Sequence, residues 1–256
     1  MLSEILKEKY KWIEKARAEI PQKELMKQMG GLPLPRSLAK NLKRGSPVHL
    51  IAEIKKASPS AGVLRDSFDP VAIAQIYQSS GADAISVLTD EPFFMGSLEH
   101  LKEVKLNVRI PVLRKDFILD PYQIYEARTA GADAILLIAE LLSDSQLKEF
   151  LERVHSLGME ALVEVHTVDD LEKSLRAGAL IIGINQRNLH TFKIHRETVD
   201  QLVPLIPKGK LIVCESGIRS REDVLYLKTL GIHAALIGET FMRSPDIAGK
   251  IKELFS

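Results

Sequence analysis

Five charged side chains stand where apolar runs end: Glu53 and Lys55 in HLIAEIK, Lys115 in PVLRKD, Glu164 in EALVEV and Glu215 in KLIVCES. Lysines and glutamates confined together push one another's pKa values apart, which lets one site hold both a general acid and a general base. The bland alternative is a salt-bridged plug, since buried charges persist only when paired. Five such residues in equivalent places favour chemistry over a plug. Asn185 ends a further run, LIIGIN, and Arg187 lies just beyond it.

A second constellation suits an anion. ESGIRS (215–220) and LIGETFMR (236–243) place small residues directly after apolar runs, where backbone N–H groups can approach an oxyanion. Ser216, Gly217 and Gly238 are the candidate donors. The Glu239 carboxylate would repel phosphate, so only its backbone N–H qualifies. Other chemistry lacks its motif: there is no GxSxG, P-loop, strand-following GxGxxG or HExxH. His166 follows Glu164 by two residues and could face the mouth, but a lone histidine is more often a surface or loop residue. The seven histidines have no ligand-like spacing, so no metal site is expected. Cys214 should face away from Glu215 and pack in the core. Phe93, Phe94 and Phe117 are either simple packing or an aromatic wall for a ring.

These residues need elements to position them. Apolar runs at 49–55, 84–88, 111–116, 134–138, 160–165, 180–185, 210–216 and 234–238 read as strands. Between them lie amphipathic stretches that begin with Asp, Ser or Pro, several ending in Gly, as helix caps require. Strands alternating with helices give a parallel sheet. An internal repeat selects a closed form over an open sheet: GADAISVL at 81, GADAILLI at 131, GALIIGIN at 178 and GIHAALIG at 231 recur about every 50 residues, each leading into an even-numbered strand. The fold class expected is a single-domain α/β protein, a (β/α)8 TIM barrel over residues 48–256 with an N-terminal helical extension over 1–47. In such a barrel, side chains from alternate strands fill one layer, and active sites sit at the C-terminal strand ends. All five charges belong to odd-numbered strands, so one layer can hold them.

In the extension, Ile5, Leu6, Trp12, Ile13, Ala16 and Ile20 suggest an amphipathic helix, RSLAKNLKRG (36–45) a shorter one, and GGLPLP a turn between them. The extension either docks on the barrel or covers its site. Composition fits: 256 residues suit one barrel, and 35 basic against 34 acidic residues give a net charge of +1. No broad basic face for nucleic acid and no polybasic membrane patch is implied. One cysteine excludes an internal disulfide, no run approaches a membrane span, and the acidic amphipathic start is unlike a signal peptide, so a cytoplasmic location is expected.

The segments IAEIKKASPSAG, SVLTDEPFFMGS, VLRKDFILDPYQIYEAR, GADAILLI, LVEVHT, IGINQRNLHTF, ESGIRS and LIGETFMR run in order from about residue 48 to 245. Together they resemble the signature segments of the indole-3-glycerol phosphate synthase family, as does the helical extension. The resemblance implies ring closure, decarboxylation and dehydration of 1-(2-carboxyphenylamino)-1-deoxy-D-ribulose 5-phosphate in tryptophan biosynthesis. It implies no metal or organic cofactor, a phosphorylated small-molecule substrate, and a monomer. Lys115 matches the general acid at the substrate carbonyl, and Glu164 a carboxylate of proton transfer. Lys55 matches a lysine that binds acidic groups or itself acts as an acid. Glu53 and Asn185 match orienting residues, while Ser58, Phe94, Phe117, Arg187, Leu189, Glu215 and Ser216 match pocket positions. Ser216, Gly217, Gly238 and Glu239 match the phosphate loop, where some members carry Ser at the last place. Which of Lys55, Lys115 and Glu164 performs each proton transfer is open at this level. A Schiff-base aldolase, a phosphosugar isomerase or a non-catalytic barrel that binds a phosphometabolite are the rival readings.

Overall fold

The computed structural model describes residues 1–43 and 48–256. Eight strands form a closed parallel barrel: β1 (His49–Ile54), β2 (Ala84–Leu88), β3 (Val112–Lys115), β4 (Ala134–Ile138), β5 (Glu160–Val165), β6 (Ile181–Asn185), β7 (Leu211–Glu215) and β8 (Ala234–Ile237). Each pairs with its sequence neighbour, and β8 closes on β1 with His49 opposite Ala234. The eight runs read from sequence are these strands, within one or two residues at their ends. Lys55, Asp116, Ser216 and Gly238 fall just beyond the ladders.

Alternation along each strand sorts its side chains. Leu50, Ala52, Ile54, Val163, Ile182 and Cys214 belong to the layer between sheet and helices, whereas Ile51, Leu113, Leu162 and Val213 fill the barrel interior. The four interior residues come from odd strands, and two positions on lie Glu53, Lys115, Glu164 and Glu215. The charged layer expected from phasing therefore rests on an apolar one. Cys214 is fully buried on the outward side. The repeated glycines end helices in the left-handed region, with φ of 96° at Gly81 and 88° at Gly131, where a side chain would be strained. Opposite helix ends are capped by side chains. Asp120 with Gln123, Ser143 with Gln146 and Thr167 with Asp170 each form a capping box.

The extension contains α1 (Leu2–Glu19), α2 (Gln22–Gln28) and α3 (Leu38–Asn41). The helix α2 has no counterpart in the sequence reading. Its seven residues bury only Leu25, so no apolar stripe announces it. The second helix expected over 36–45 is reduced to α3, and the end of that stretch lies outside the described residues. Leu38, Ala39 and Leu42 join the interior cluster at the strand-start end. There the Glu160 carboxylate accepts from Ser37 Oγ and the Ala39 N–H, both at 2.7 Å. The first turns of α1 reach the opposite end, where Leu2 and Ile5 pack with Phe117 and Ile138.

A buried ion network fixes α1 there. Lys9, 3 % exposed, lies 2.7 Å from both Asp90 and Asp116. Asp116 also pairs with Arg114 at 3.0 Å, and Arg114 with Glu126 at 2.8 Å. Arg17 pairs with Asp120, and the Tyr122 hydroxyl donates to the carbonyls of Ala16 and Ile20. Among the described residues, no helix is long and apolar enough to cross a membrane.

Candidate active site

At the C-terminal strand ends lies a cavity of about 600 Å³, within the range of small-molecule sites. Its floor is the charged layer. Lys115 Nζ sits 3.1 Å from Glu164 Oε2 and 3.1 Å from Glu215 Oε2, and Lys55 Nζ sits 2.7 Å from Glu53 Oε1. Asn185 donates from Nδ2 to Glu164 Oε1 at 3.0 Å, and its Oδ1 accepts from the Ser216 hydroxyl at 2.8 Å. One chain of contacts thus runs from Lys115 through Glu164 and Asn185 to Ser216.

Two glycines make room for the floor. A Cβ on Gly183 would collide with Glu215 Oε1, and one on Gly238 with Glu53 Oε1. The electrostatics divide the carboxylates. Burial opposes charge on Glu164, but Lys115, His166 and the Asn185 hydrogen bond outweigh it and hold its pKa below the ordinary value. Glu53 is lowered in the same way, its burial outweighed by Lys55 and Lys115. Glu215 goes the other way: burial, reinforced by Glu164 and Glu53, exceeds the pull of Lys115 and raises it. Burial also opposes the charge of Lys115, but Glu164, Glu215 and Glu53 prevail and raise its pKa.

The walls combine ring and cation surfaces. Phe94 and Phe117 line the cavity with centroids 6.3 Å apart and planes tilted by 45°. Phe93 packs on the interior cluster without lining the cavity. Leu189 and Ser58 contribute to the wall, the latter from a two-residue hairpin strand after β1. Leu2 and Ile5 of α1 also line it, so the extension does both: its first turns cover the site and its later residues dock on the barrel. Ser216 and Gly217 are both left-handed, with φ of 67° and 76°. They line the cavity together with Gly238 and Glu239. The Glu239 carboxylate is engaged by Arg187 and Arg243, both at 3.2 Å, so its charge is neutralised by salt bridges.

Apart from Phe93, the residues expected at the site from sequence line this one cavity. The sequence reading placed Ile5 on the extension helix without assigning it to the site, and passed over Leu2, Ser60, Arg219, Arg243 and Lys250. Arg219 and Arg243 lie inside the loop motifs already singled out, so their positions carried a signal; Leu2 and Lys250 carried none. His166 stands in the loop after β5, as read from sequence, but its side chain is only 9 % exposed, with Nε2 3.4 Å from Glu164 Oε1 and Nδ1 3.8 Å from Glu140 Oε2. Among the described residues no cluster of His, Cys, Asp or Glu has metal-site geometry.

A closed parallel barrel with lysines and carboxylates under a ring-lined, cation-bearing cavity defines the class: a (β/α)8-barrel enzyme equipped for acid–base chemistry on a small anion. Comparison with known proteins narrows this. The family model of indole-3-glycerol phosphate synthase matches residues 2–254, and the chain belongs to that family. The indole-3-glycerol phosphate synthase of Dehalococcoides mccartyi strain 195 is 51% identical over 246 residues, covering 94% of this chain and 95% of its own. That of Roseiflexus sp. is 47% identical over 262 residues, covering 99% and 97%. Among solved structures, the 3-hexulose-6-phosphate synthase of Salmonella typhimurium matches with a TM-score of 0.66 at 16% identity, covering 81% of this chain and 96% of its own. At that identity the likeness concerns the fold alone.

Proposed function

We propose that Lys115 and Glu164 are the proton-transfer pair of a decarboxylating ring closure, with Glu53, Lys55, Asn185 and Glu215 setting their charge and orientation. The activity follows from family membership. The chain is a carbon–carbon lyase of tryptophan biosynthesis that closes, decarboxylates and dehydrates 1-(2-carboxyphenylamino)-1-deoxy-D-ribulose 5-phosphate to indole-3-glycerol phosphate.

The observation that carries the assignment is Lys115 Nζ held 3.1 Å from two carboxylates on the cavity floor. A cation bound this firmly gives up its proton only if another positive charge takes its place. Ring closure supplies one: as Lys115 protonates the substrate carbonyl, the attacking aryl ring becomes cationic. Glu53 and Glu164 then stabilise that charge. Loss of carbon dioxide restores aromaticity. Dehydration needs a proton for the departing hydroxyl and a base for the methylene carbon beside nitrogen, and Glu164 serves this step. The same pairing argues against a Schiff-base aldolase, which needs a neutral amine. The rings of Phe94 and Phe117 are suited to stack on the anthranilate ring. Ser216, Gly217, Gly238 and the Glu239 N–H would hold phosphate, with Arg187 and Arg243 adding positive charge.

Lys115→Ala should lower turnover at least ~100-fold, the usual cost of a lost general acid. Fluorescence of the indole product and carbon dioxide release read it, and near-normal turnover would remove Lys115 from the mechanism. A monomer in the cytoplasm, with extension and barrel folding as one unit, completes the proposal. The folding of extension and barrel as one unit is supported by Leu2 and Ile5 of α1, which line the cavity.

A further inference from the structure

The proposed reaction has a proton balance that the floor alone cannot meet. Two protons go onto oxygen, one at the carbonyl during closure and one at the departing hydroxyl. One returns from the methylene carbon. The carboxylate leaves as neutral carbon dioxide, so each turnover takes up one proton from solvent. Yet Glu164 and Glu215 are each 1 % exposed and Lys115 15 %, and substrate would fill the cavity above them.

A line of titratable groups leads away from Glu164 on another side. Glu164 Oε2 faces Lys115, while its Oε1 lies 3.4 Å from His166 Nε2. His166 Nδ1 lies 3.8 Å from Glu140 Oε2, and Glu140 Oε1 lies 2.6 Å from His190 Nε2. Each inner member uses opposite atoms of its side chain for its two neighbours, as a relay requires. Exposure rises outward without a break, from 1 % at Glu164 through 9 % at His166 and 31 % at Glu140 to 61 % at His190. Both His166 nitrogens are buried and make no hydrogen bond among the described residues, so the two carboxylates are their nearest charged neighbours. Its other surroundings are the Asp170 carboxylate, which accepts the His166 backbone N–H at 3.3 Å, and a second cavity of about 270 Å³. His195 and Glu197 also line that cavity, and of its lining only Asn185 is shared with the main one. The turn carrying Glu140 is held by Lys173, which donates to the carbonyls of Ala139 and Leu142.

We infer that His166 is the inner link of a proton route from solvent through Glu140 to Glu164, resupplying the proton that each turnover consumes. The inference rests on the proposed reaction. In the step itself, His166 Nδ1 takes up a proton handed in from solvent by way of Glu140. The ring then releases the Nε2 proton to Glu164 Oε1. Glu140 takes the next proton from solvent beside His190, and exchange with water in the second cavity restores the starting tautomer. The 3.8 Å link closes by a rotamer adjustment of Glu140 or through one water. His166 touches no reacting atom; it acts through Glu164.

The test uses the full chain with the anilino-ribulose phosphate as substrate. His166→Asn should lower kcat about tenfold or more, leave KM within about twofold, and enlarge the solvent deuterium isotope effect. Imidazole, small enough for the second cavity, should restore much of the loss. Glu140→Gln should show a smaller fall of the same kind, and the double variant should be no worse than His166→Asn. A His166→Asn enzyme within twofold of the parent with an unchanged isotope effect overturns the route. So does a folded variant, judged by circular dichroism and melting point, whose loss imidazole does not relieve, because that marks a merely structural residue. Should His166→Asn fail to fold, Glu140→Gln on its exposed turn decides, with unchanged kcat and isotope effect counting against the route. A parent chain that releases no carbon dioxide would instead overturn the activity reading, and the relay with it.

Discussion

Lys9→Met isolates what the buried ion network contributes, because methionine keeps most of the apolar stem and removes only the charge. Lys9 is 3 % exposed and contacts Asp90 and Asp116, each 1 % exposed, at 2.7 Å. Removing one partner from a buried pair costs about 3–5 kcal/mol, chiefly because the other charge is left unpaired. Here the two carboxylates fare differently. Asp116 keeps Arg114, the Thr89 hydroxyl and the Phe117 N–H. Asp90 keeps the Phe93 N–H at 3.0 Å, so the cost concentrates there. The lower end, about 3 kcal/mol, is expected, and for a chain of this size that lowers Tm by roughly 6–12 °C. Asp90→Asn in the same background should recover about 1–2 kcal/mol by removing the orphaned charge. Turnover should fall as well, since Asp90 caps the short helix Glu91–Phe94 that presents Phe94 to the cavity.

Acid unfolding gives an independent reading. Burial opposes the charge on Asp116, but Lys9 and Arg114 outweigh it and bring its pKa from 3.8 down to about 2. A carboxyl lowered on folding adds stability that is complete above its unfolded value. That stability is lost as pH falls from about 4 towards 2, and amounts to roughly 2 kcal/mol. Without Lys9 the folded value rises and acid unfolding begins at higher pH. A variant melting within about 2 °C of the parent, with the same acid midpoint, would refute the reasoning.

Other expectations follow from the floor and the core. Glu164→Gln should release carbon dioxide yet accumulate a cyclised, undehydrated compound in rapid-quench experiments; a block before cyclisation would contradict its late role. Gly183→Ala drives a methyl group into Glu215 Oε1 and towards Leu162, and should cost about 1–3 kcal/mol. Because it displaces a partner of Lys115, kcat should fall more than KM rises, and equal melting points with equal kcat would show that the floor yields freely. Cys214 is fully buried, and burial pushes its thiol pKa up, so a thiol reagent should label it only under denaturing conditions. Labelling of the native chain would mean that the layer between sheet and helices opens.

The barrel and its charged floor were legible because both depend on period. Two-residue alternation puts Glu53, Lys115, Glu164 and Glu215 on one side, and the glycine repeat marks where helices end. Interactions between distant loops carry no such period. His166 looked like a loop histidine because Glu140 and His190, its route outward, stand on separate loops 26 residues before and 24 residues after it. Lys9 did leave a trace. It falls four residues from both Ile5 and Ile13, on the apolar face of α1, where a lysine needs a buried counter-charge. The partners, Asp90 and Asp116, were not readable, since they depend on how α1 crosses the loops after β2 and β3.

The same attachment sets an order of events during synthesis. The extension leaves the ribosome before the barrel, yet its anchors are Asp90, Asp116, Tyr122 and Glu160. At about 5–20 residues per second, its last anchor emerges on the order of ten seconds later. Until Asp116 and Tyr122 have emerged, the apolar face of α1 lacks the partners that cover it. β1 waits longer still, for β8, before His49 can pair with Ala234. The segment that roofs the site is thus open to capture by other chains while the barrel is still emerging, and a nascent protein halted before residue 116 would expose it.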